Sequence, residues 1–184
     1  MAARLDPDLR HLDVAAFAAA SGERSGEWPT AGFTRLPASP AESDAAPDPV
    51  VAWRVTGRMA AIAGAGVQPQ LRIEAGADLV LQCQRCLQPL PLAVRADRRI
   101  GFVEGEDAAA ALDAESDDDV LALAPVLDVH ALVEDELLLA LPLVPRHDVC
   151  PDPPRLRDPD DDAVASALNP FAVLAALKRG APPN

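Results

Sequence analysis

From residue 50 to residue 103 the chain runs one pattern three times: apolar and polar residues alternate until turn-forming residues interrupt them. "VVAWRVTGRMAAI" sets Val51, Trp53 and Val55 on one side and Arg54 and Arg58 on the other. "PQLRIEAGADLVLQC" follows a "GAGVQ" turn, with Leu71 and Ile73 sharing a face, as do Leu79 and Leu81. "LQPLPLAVRADRRIGFV" supplies Leu90, Leu92 and Val94, then Ile100 and Phe102 after an expected shift of register. Alternation with period two marks a strand with one face buried. Three long runs joined by tight turns are antiparallel neighbours, and their apolar face needs a cover.

The cover is legible downstream. Asp128 is placed to cap a helix over residues 128–141, in which Val129, Leu132, Val133, Leu137 and Leu141 form a stripe. Its acids lie in the first half, as the helix dipole favours, and Pro142 ends it. The expected fold class is therefore α+β: an antiparallel β-meander of at least three strands packed against a helix, with a C-terminal helix.

The flanks read less regularly. Residues 6–21 predict one short helix, and residues 21–49, rich in Gly, Pro and Ser, predict loop or extended chain with Trp28 and Phe33 anchored on the core. Residues 104–119, "EGEDAAAALDAESDDD", read as a solvated loop, and "VLALAPVLDV" as a short strand. Residues 151–168 are Pro- and Asp-rich linker. "NPFAVLAALKRG" then has Asn169 as N-cap, Pro170 at the first helical position, Phe171, Leu174 and Leu177 on one face, and Gly180 beyond. The division expected is an N-terminal helix and loop arm (1–49), an α+β core domain (50–145), and a linker with a C-terminal helix (146–184).

A chain of 184 residues can bury enough surface to stand without staples. Its three cysteines are too few and too odd for a disulfide framework, so a reducing, cytoplasmic setting is expected. Asp6, Asp8 and Asp13 interrupt the N-terminal apolar stretch and argue against a signal peptide, and the longest apolar run, "LLLALPLVP", argues against a membrane span. Net charge is −13, which argues against nonspecific nucleic-acid binding by the chain as a whole. The distribution is uneven. Residues 50–103 carry seven arginines against three acids, whereas residues 104–136 carry twelve acids and no base.

Two cysteines stand in "CQRCLQPL" and the third in "PRHDVC". A redox pair would sit at a helix N-terminus, and Cys83 and Cys86 lie in strand-rich sequence instead. A zinc knuckle uses two thiolates from one tight turn, and His147 with Cys150 would complete a Cys3His set. Turn thiols without metal are the plainer alternative. Glu134, Asp135 and Glu136 point in three directions on a helix, so the expectation is a solvated face rather than a carboxylate pair. No phosphate-cradling loop, nucleophile elbow or catalytic triad stands out, and neither an enzyme nor a small-molecule substrate is expected.

"LQCQRCLQPL", "VEDELLLALPLVPRHDVC" and "NPFAVLAALKRG", in that order, resemble the bacterial YceD family, the large ribosomal RNA subunit accumulation proteins. Cys83, Arg85, Cys86 and Leu87 match its first signature; Glu134, Asp135, Glu136, Pro142, Pro145 and His147 match its second. The resemblance implies a cytoplasmic, non-enzymatic factor in 23S rRNA accumulation or maturation, with ribosomal RNA or a large-subunit ribosomal protein as partner. It gives the basic segment a purpose, and Arg54, Arg58, Arg85, Arg95, Arg98 and Arg99 become candidate RNA contacts if they form one exposed stripe. The alternative is a small zinc-binding adaptor that docks a protein partner without contacting RNA.

Overall fold

The computed structural model describes residues 7–36 and 49–151. The helix expected over residues 169–180 lies outside the described residues. A five-stranded sheet in the order β1-β2-β3-β4-β5 forms the body of the fold. Its strands are β1 (Glu23–Pro29), β2 (Val50–Ile62), β3 (Gly66–Gln82), β4 (Pro89–Val103) and β5 (Asp119–Ala122). The first four pair as an antiparallel meander and β5 joins β4 in parallel. The helices are α1 (Pro7–Arg10), α2 (Val14–Ala19), α3 (Glu106–Asp113) and α4 (Val129–Ala140). The fold is α+β, and no helix among the described residues is long and apolar enough to cross a membrane.

The three long strands form where alternation placed them. On β3 every second residue from Leu71 to Leu81 is buried, which gives the sheet one continuous apolar face. The β2–β3 turn needs Gly64 (φ 79°) and Gly66 (φ 76°), whose conformations an L side chain rarely adopts. Helix α4 lays Val129, Val133 and Leu137, all fully buried, on that face, and Asp128 caps it by accepting from the Ala131 N–H at 3.0 Å. Leu9, Leu12, Val14, Trp28, Phe33 and Leu36 join the same core from the N-terminal side.

Three sequence expectations are corrected. Where one helix was expected over residues 6–21, the described residues form two short helices, because Leu12 leaves the helical path to bridge Leu127 and Asp13 caps α2 anew. Residues 23–29, within the stretch expected as loop or extended chain, pair as edge strand β1, which carried no alternation because Trp28 is its one buried residue. The acidic stretch 104–119 is ordered: its alanines build α3, Ala109 packs beneath Val103 and Val120, and Asp113 accepts from the Val120 N–H at 2.8 Å. Strand β4 needs no register shift. Leu92, Val94, Ile100 and Phe102 keep one parity, and Arg98, opposite Ile73, sits on that same inner face.

Candidate metal centre

The β3–β4 connection is a short knuckle. The Cys83 N–H donates to the Gln88 carbonyl at 3.0 Å and the Leu87 N–H to the Cys83 carbonyl at 2.9 Å. Leu87 takes a left-handed conformation, φ 62°, to close it. After α4, Leu141 is extended and Pro142 forbids another turn, so residues 142–151 run on as an irregular exit segment. The Gln84 N–H donates to the Pro145 carbonyl at 2.8 Å, which sews this segment to the knuckle.

Cys83, Cys86, His147 and Cys150 converge, with their ligand atoms all within 4.8 Å of one another. Cys83 Sγ and Cys150 Sγ are 3.8 Å apart, and Cys86 Sγ and His147 Nδ1 are 3.4 Å apart. Tetrahedral zinc with bonds of about 2.3 Å to sulfur and about 2.0 Å to nitrogen requires ligand separations of roughly 3.5–3.8 Å. The orientation fits as well. Nε2 of His147 lies 3.1 Å from the Pro89 carbonyl, so an Nε2–H donated there leaves the Nδ1 lone pair facing the cysteines. Arg85 donates from Nε to Cys150 Sγ at 2.9 Å and from Nη2 to the His147 carbonyl at 2.9 Å. Burial would push the Cys83 thiol up, but backbone N–H donors from Cys86, His147 and Arg85 outweigh it and bring it down to about 5. Burial pushes Cys86 up. Three soft sulfurs and one imidazole suit a zinc-type ion, and the Arg85 guanidinium would offset the net negative charge of such a site.

The Glu134-Asp135-Glu136 triplet is not the solvated face expected. Glu134 is buried and binds Arg35. It accepts from the backbone N–H groups of Arg35 and Leu36 at 2.5 and 3.1 Å and from the Arg35 guanidinium at 3.0 Å. Asp135 takes the other side of that guanidinium. Burial disfavours the Glu134 carboxylate, yet these donors hold its pKa below the usual value. Glu136 is buried against the inner-face Arg98, 3.4 Å away, and burial pushes its pKa up.

The six candidate arginines do not share one face. Arg85 is in the knuckle and Arg98 on the inner face. Arg54, Arg58, Arg95 and Arg99 lie on the open outer face with Arg72, which sequence reading passed over. Four of these five have carboxylate partners: Arg54 with Glu23, Arg72 with Asp97 and Glu74, Arg95 with Asp78, and Arg99 with Asp118. Arg58 donates to Gln70 at 2.9 Å. Sequence reading also missed Arg35, ninety-nine residues from its partner Glu134 with no local signal. His130 was missed too; it is stacked on Phe33 with centroids 4.2 Å apart and buried within an aromatic cluster.

A family model described as "Large ribosomal RNA subunit accumulation protein YceD" matches residues 71–178, more than half of the chain. The matched span takes in both halves of the Cys3His cluster and the Glu-Asp-Glu helix. No solved structure matches the chain.

Proposed function

The chain belongs to the YceD family of large ribosomal RNA subunit accumulation proteins, and from that premise we propose that it is a non-enzymatic accessory factor in 23S rRNA maturation, acting in the cytoplasm. The observation that carries this reading is the family match over residues 71–178, which joins knuckle, α4 and exit segment in one unit. The site chemistry agrees. Four protein ligands around one ion leave no open position for substrate, the mark of a structural rather than a catalytic centre. Zinc held by Cys83, Cys86, His147 and Cys150 would supply a fixed joint between the β3–β4 turn and the segment leaving α4.

RNA contact belongs on the outer face of the sheet, where Arg54, Arg58, Arg72, Arg95 and Arg99 stand exposed. Glu23, Asp97 and Asp78, the partners of Arg54, Arg72 and Arg95, are themselves exposed, and such pairs are weak enough for phosphate to replace them. Depletion of the protein, followed by gradient profiling of ribosomal particles and rRNA precursors, tests the reading. Free large subunits should fall relative to small ones while 23S precursors accumulate. Equal subunit levels with normal precursors would refute it.

One observation favours the adaptor reading. Because acids accompany the outer arginines, that face carries little net positive charge. If the protein binds a large-subunit ribosomal protein and shows no affinity for rRNA fragments at low salt, the adaptor reading replaces direct contact.

A further inference from the structure

Arg58, Arg72 and Arg99 come one from each of β2, β3 and β4, and they line a single concave pocket of about 510 Å³ on the outer face with Thr56, Gly57 and Asp97. Strand register assembles it. Thr56 pairs with Arg72 and Arg72 with Arg99, while Arg58 stands two residues along β2 from Thr56. Like charges set directly opposite each other repel. Asp97 relieves the repulsion by accepting from Arg72 Nε and Nη2 at 2.8 and 2.7 Å. Those hydrogen bonds, with the charges of Arg72 and Arg99, hold its carboxyl below the usual range. A carboxylate thus stands where the arginines call for an anion, and at 56% exposure water already reaches it. The donors are not used up. Arg58 spends Nε on Gln70 at 2.9 Å and Arg99 spends Nε on Asp118 at 3.3 Å, so among the described residues the Nη ends of both are left to the pocket. Gln70 is buried and sets the Arg58 guanidinium. Asp118, and Glu74 at 3.3 Å from Arg72, stand outside the lining. No aromatic side chain in the lining offers a face for a base, so the pocket suits phosphate rather than sequence.

We propose that this pocket takes the terminal phosphate monoester of an RNA strand. The proposal rests on the reading above that the outer face meets RNA, and it names which part of the RNA is held. An internal phosphodiester carries a single charge and two free oxygens. A terminal monoester carries nearly twice that charge at neutral pH and presents three acceptor oxygens. Guanidinium forks match such oxygens with paired N–H donors. Three arginines from three strands around one pocket therefore fit the monoester end, whereas continuous backbone is tracked by an extended basic groove. The exchange also favours the monoester over Asp97, because the more highly charged anion replaces the less charged one in an exposed pair that is weak to begin with. Hydrolysis of any internal bond of a precursor strand leaves one such end, so the pocket favours cut strands over continuous ones.

Binding of one short single-stranded RNA to the full chain tests the proposal, with the strand 5′-phosphorylated, 3′-phosphorylated or unphosphorylated. One of the phosphorylated forms should bind roughly tenfold tighter than the unphosphorylated form, as added charge-assisted contacts give. Inorganic phosphate should compete that preference away. Arg58→Gln and Arg99→Gln should each erase it. Arg99→Gln removes only an exposed ion pair, so it keeps the test sound if Arg58→Gln, which disturbs the buried Gln70, misfolds. Arg54→Gln, on the same face but outside the lining, should weaken all three forms alike. Equal binding of the three forms by the wild type would overturn the proposal and leave the RNA reading of this face standing. Binding of none of them would overturn both. A preference that survives both pocket variants would put the phosphate elsewhere and overturn the proposal. A phosphoserine peptide that binds as tightly as the phosphorylated RNA would assign the pocket to a phosphoprotein and equally overturn it.

Discussion

The two faces of the sheet use the same chemistry, an arginine against a carboxylate, to opposite ends. On the inner side Glu134 is buried and fixed by Arg35, and Glu136 is buried against Arg98. On the outer side Arg72, Arg54 and Arg95 meet their acids in the open, with both partners of each pair about half exposed or more. Where the acid is buried and backbone N–H groups donate to it, as at Glu134, it is a structural rivet, because removing it strands polar groups away from water. Exposed, the pair is a reversible association that solvent and salt already weaken. Composition therefore says little about what an arginine does here; the face it occupies decides.

The largest effect should come from the end where the Cys3His cluster closes the inner layer. If the Cys3His site holds zinc, free metal a thousandfold above its dissociation constant stabilises the fold by about 4 kcal/mol. Chelation should remove that, lower the unfolding midpoint and release residues 142–151 to exchange. Cys83→Ser should take zinc content from one per chain to well below one tenth. Freshly reduced protein with no bound zinc, and a midpoint indifferent to chelator, would leave the cluster a turn feature only.

Next in size is the Arg35–Glu134 rivet. Glu134→Ala orphans the N–H of Leu36, which is itself buried, and should cost about 2 kcal/mol, the usual penalty for a stranded buried donor. The pH dependence follows from a folded pKa held below the unfolded value near 4.5. Stability from this group is present in full above that value and is lost as pH falls through it and below. The wild type should weaken more steeply than Glu134→Ala between about pH 5 and pH 3. Parallel curves in acid would show that Glu134 is not a rivet.

What sequence could reveal follows from distance along the chain. Parity along β2 and β3, the cap at Asp128 and the stop at Pro142 are local, and each appears where the residues placed it. The Cys3His set was legible because its residue types are rare and paired by spacing, even though α4 separates its halves. Arg35 and Glu134 carry no such mark, since any of sixteen basic residues could have met that acid. Strand β1 was hidden because an edge strand with one buried residue shows no alternation. Helix α3 was hidden by its charge, although its alanines favour helix and Ala109 packs beneath β5. The face of Arg98 was left open by the expected register shift; without that shift it lies on the inner face, opposite Ile73. Glu136 is what makes that position tolerable.

That pair yields a smaller effect. Burial raises the Glu136 pKa, so its ionised form burdens the fold at neutral pH, and the burden lifts as pH falls through the raised value. Glu136→Gln removes the burden and the Arg98 attraction together, and should change stability by less than about 1 kcal/mol. A loss as large as that of Glu134→Ala would mean the two buried acids are equivalent.

The smallest expected effect on stability is on the outer face, and it is the sharpest test of what that face does. Arg72 makes a two-pronged contact with Asp97 at 2.8 and 2.7 Å, between Arg58 and Arg99 on the neighbouring strands. The Arg72 guanidinium holds the Asp97 carboxyl below its usual range, so the acid is ionised and in place at neutral pH. Both side chains are about half exposed, and Asp97→Asn should leave the unfolding midpoint unmoved. If phosphate displaces carboxylate on this face, the same change removes a competitor. Affinity for single-stranded rRNA fragments should then rise, and the slope of log affinity against log salt should steepen by about 0.7, one phosphate's worth. Arg72→Ala should lower affinity and flatten the slope by a similar amount. Charge alone predicts both directions, so a reverse of sign in either variant would break the assignment. If Asp97→Asn leaves binding unchanged while Arg85→Ala weakens it, the contact lies at the cysteine knuckle, and the outer face is only a solvated surface.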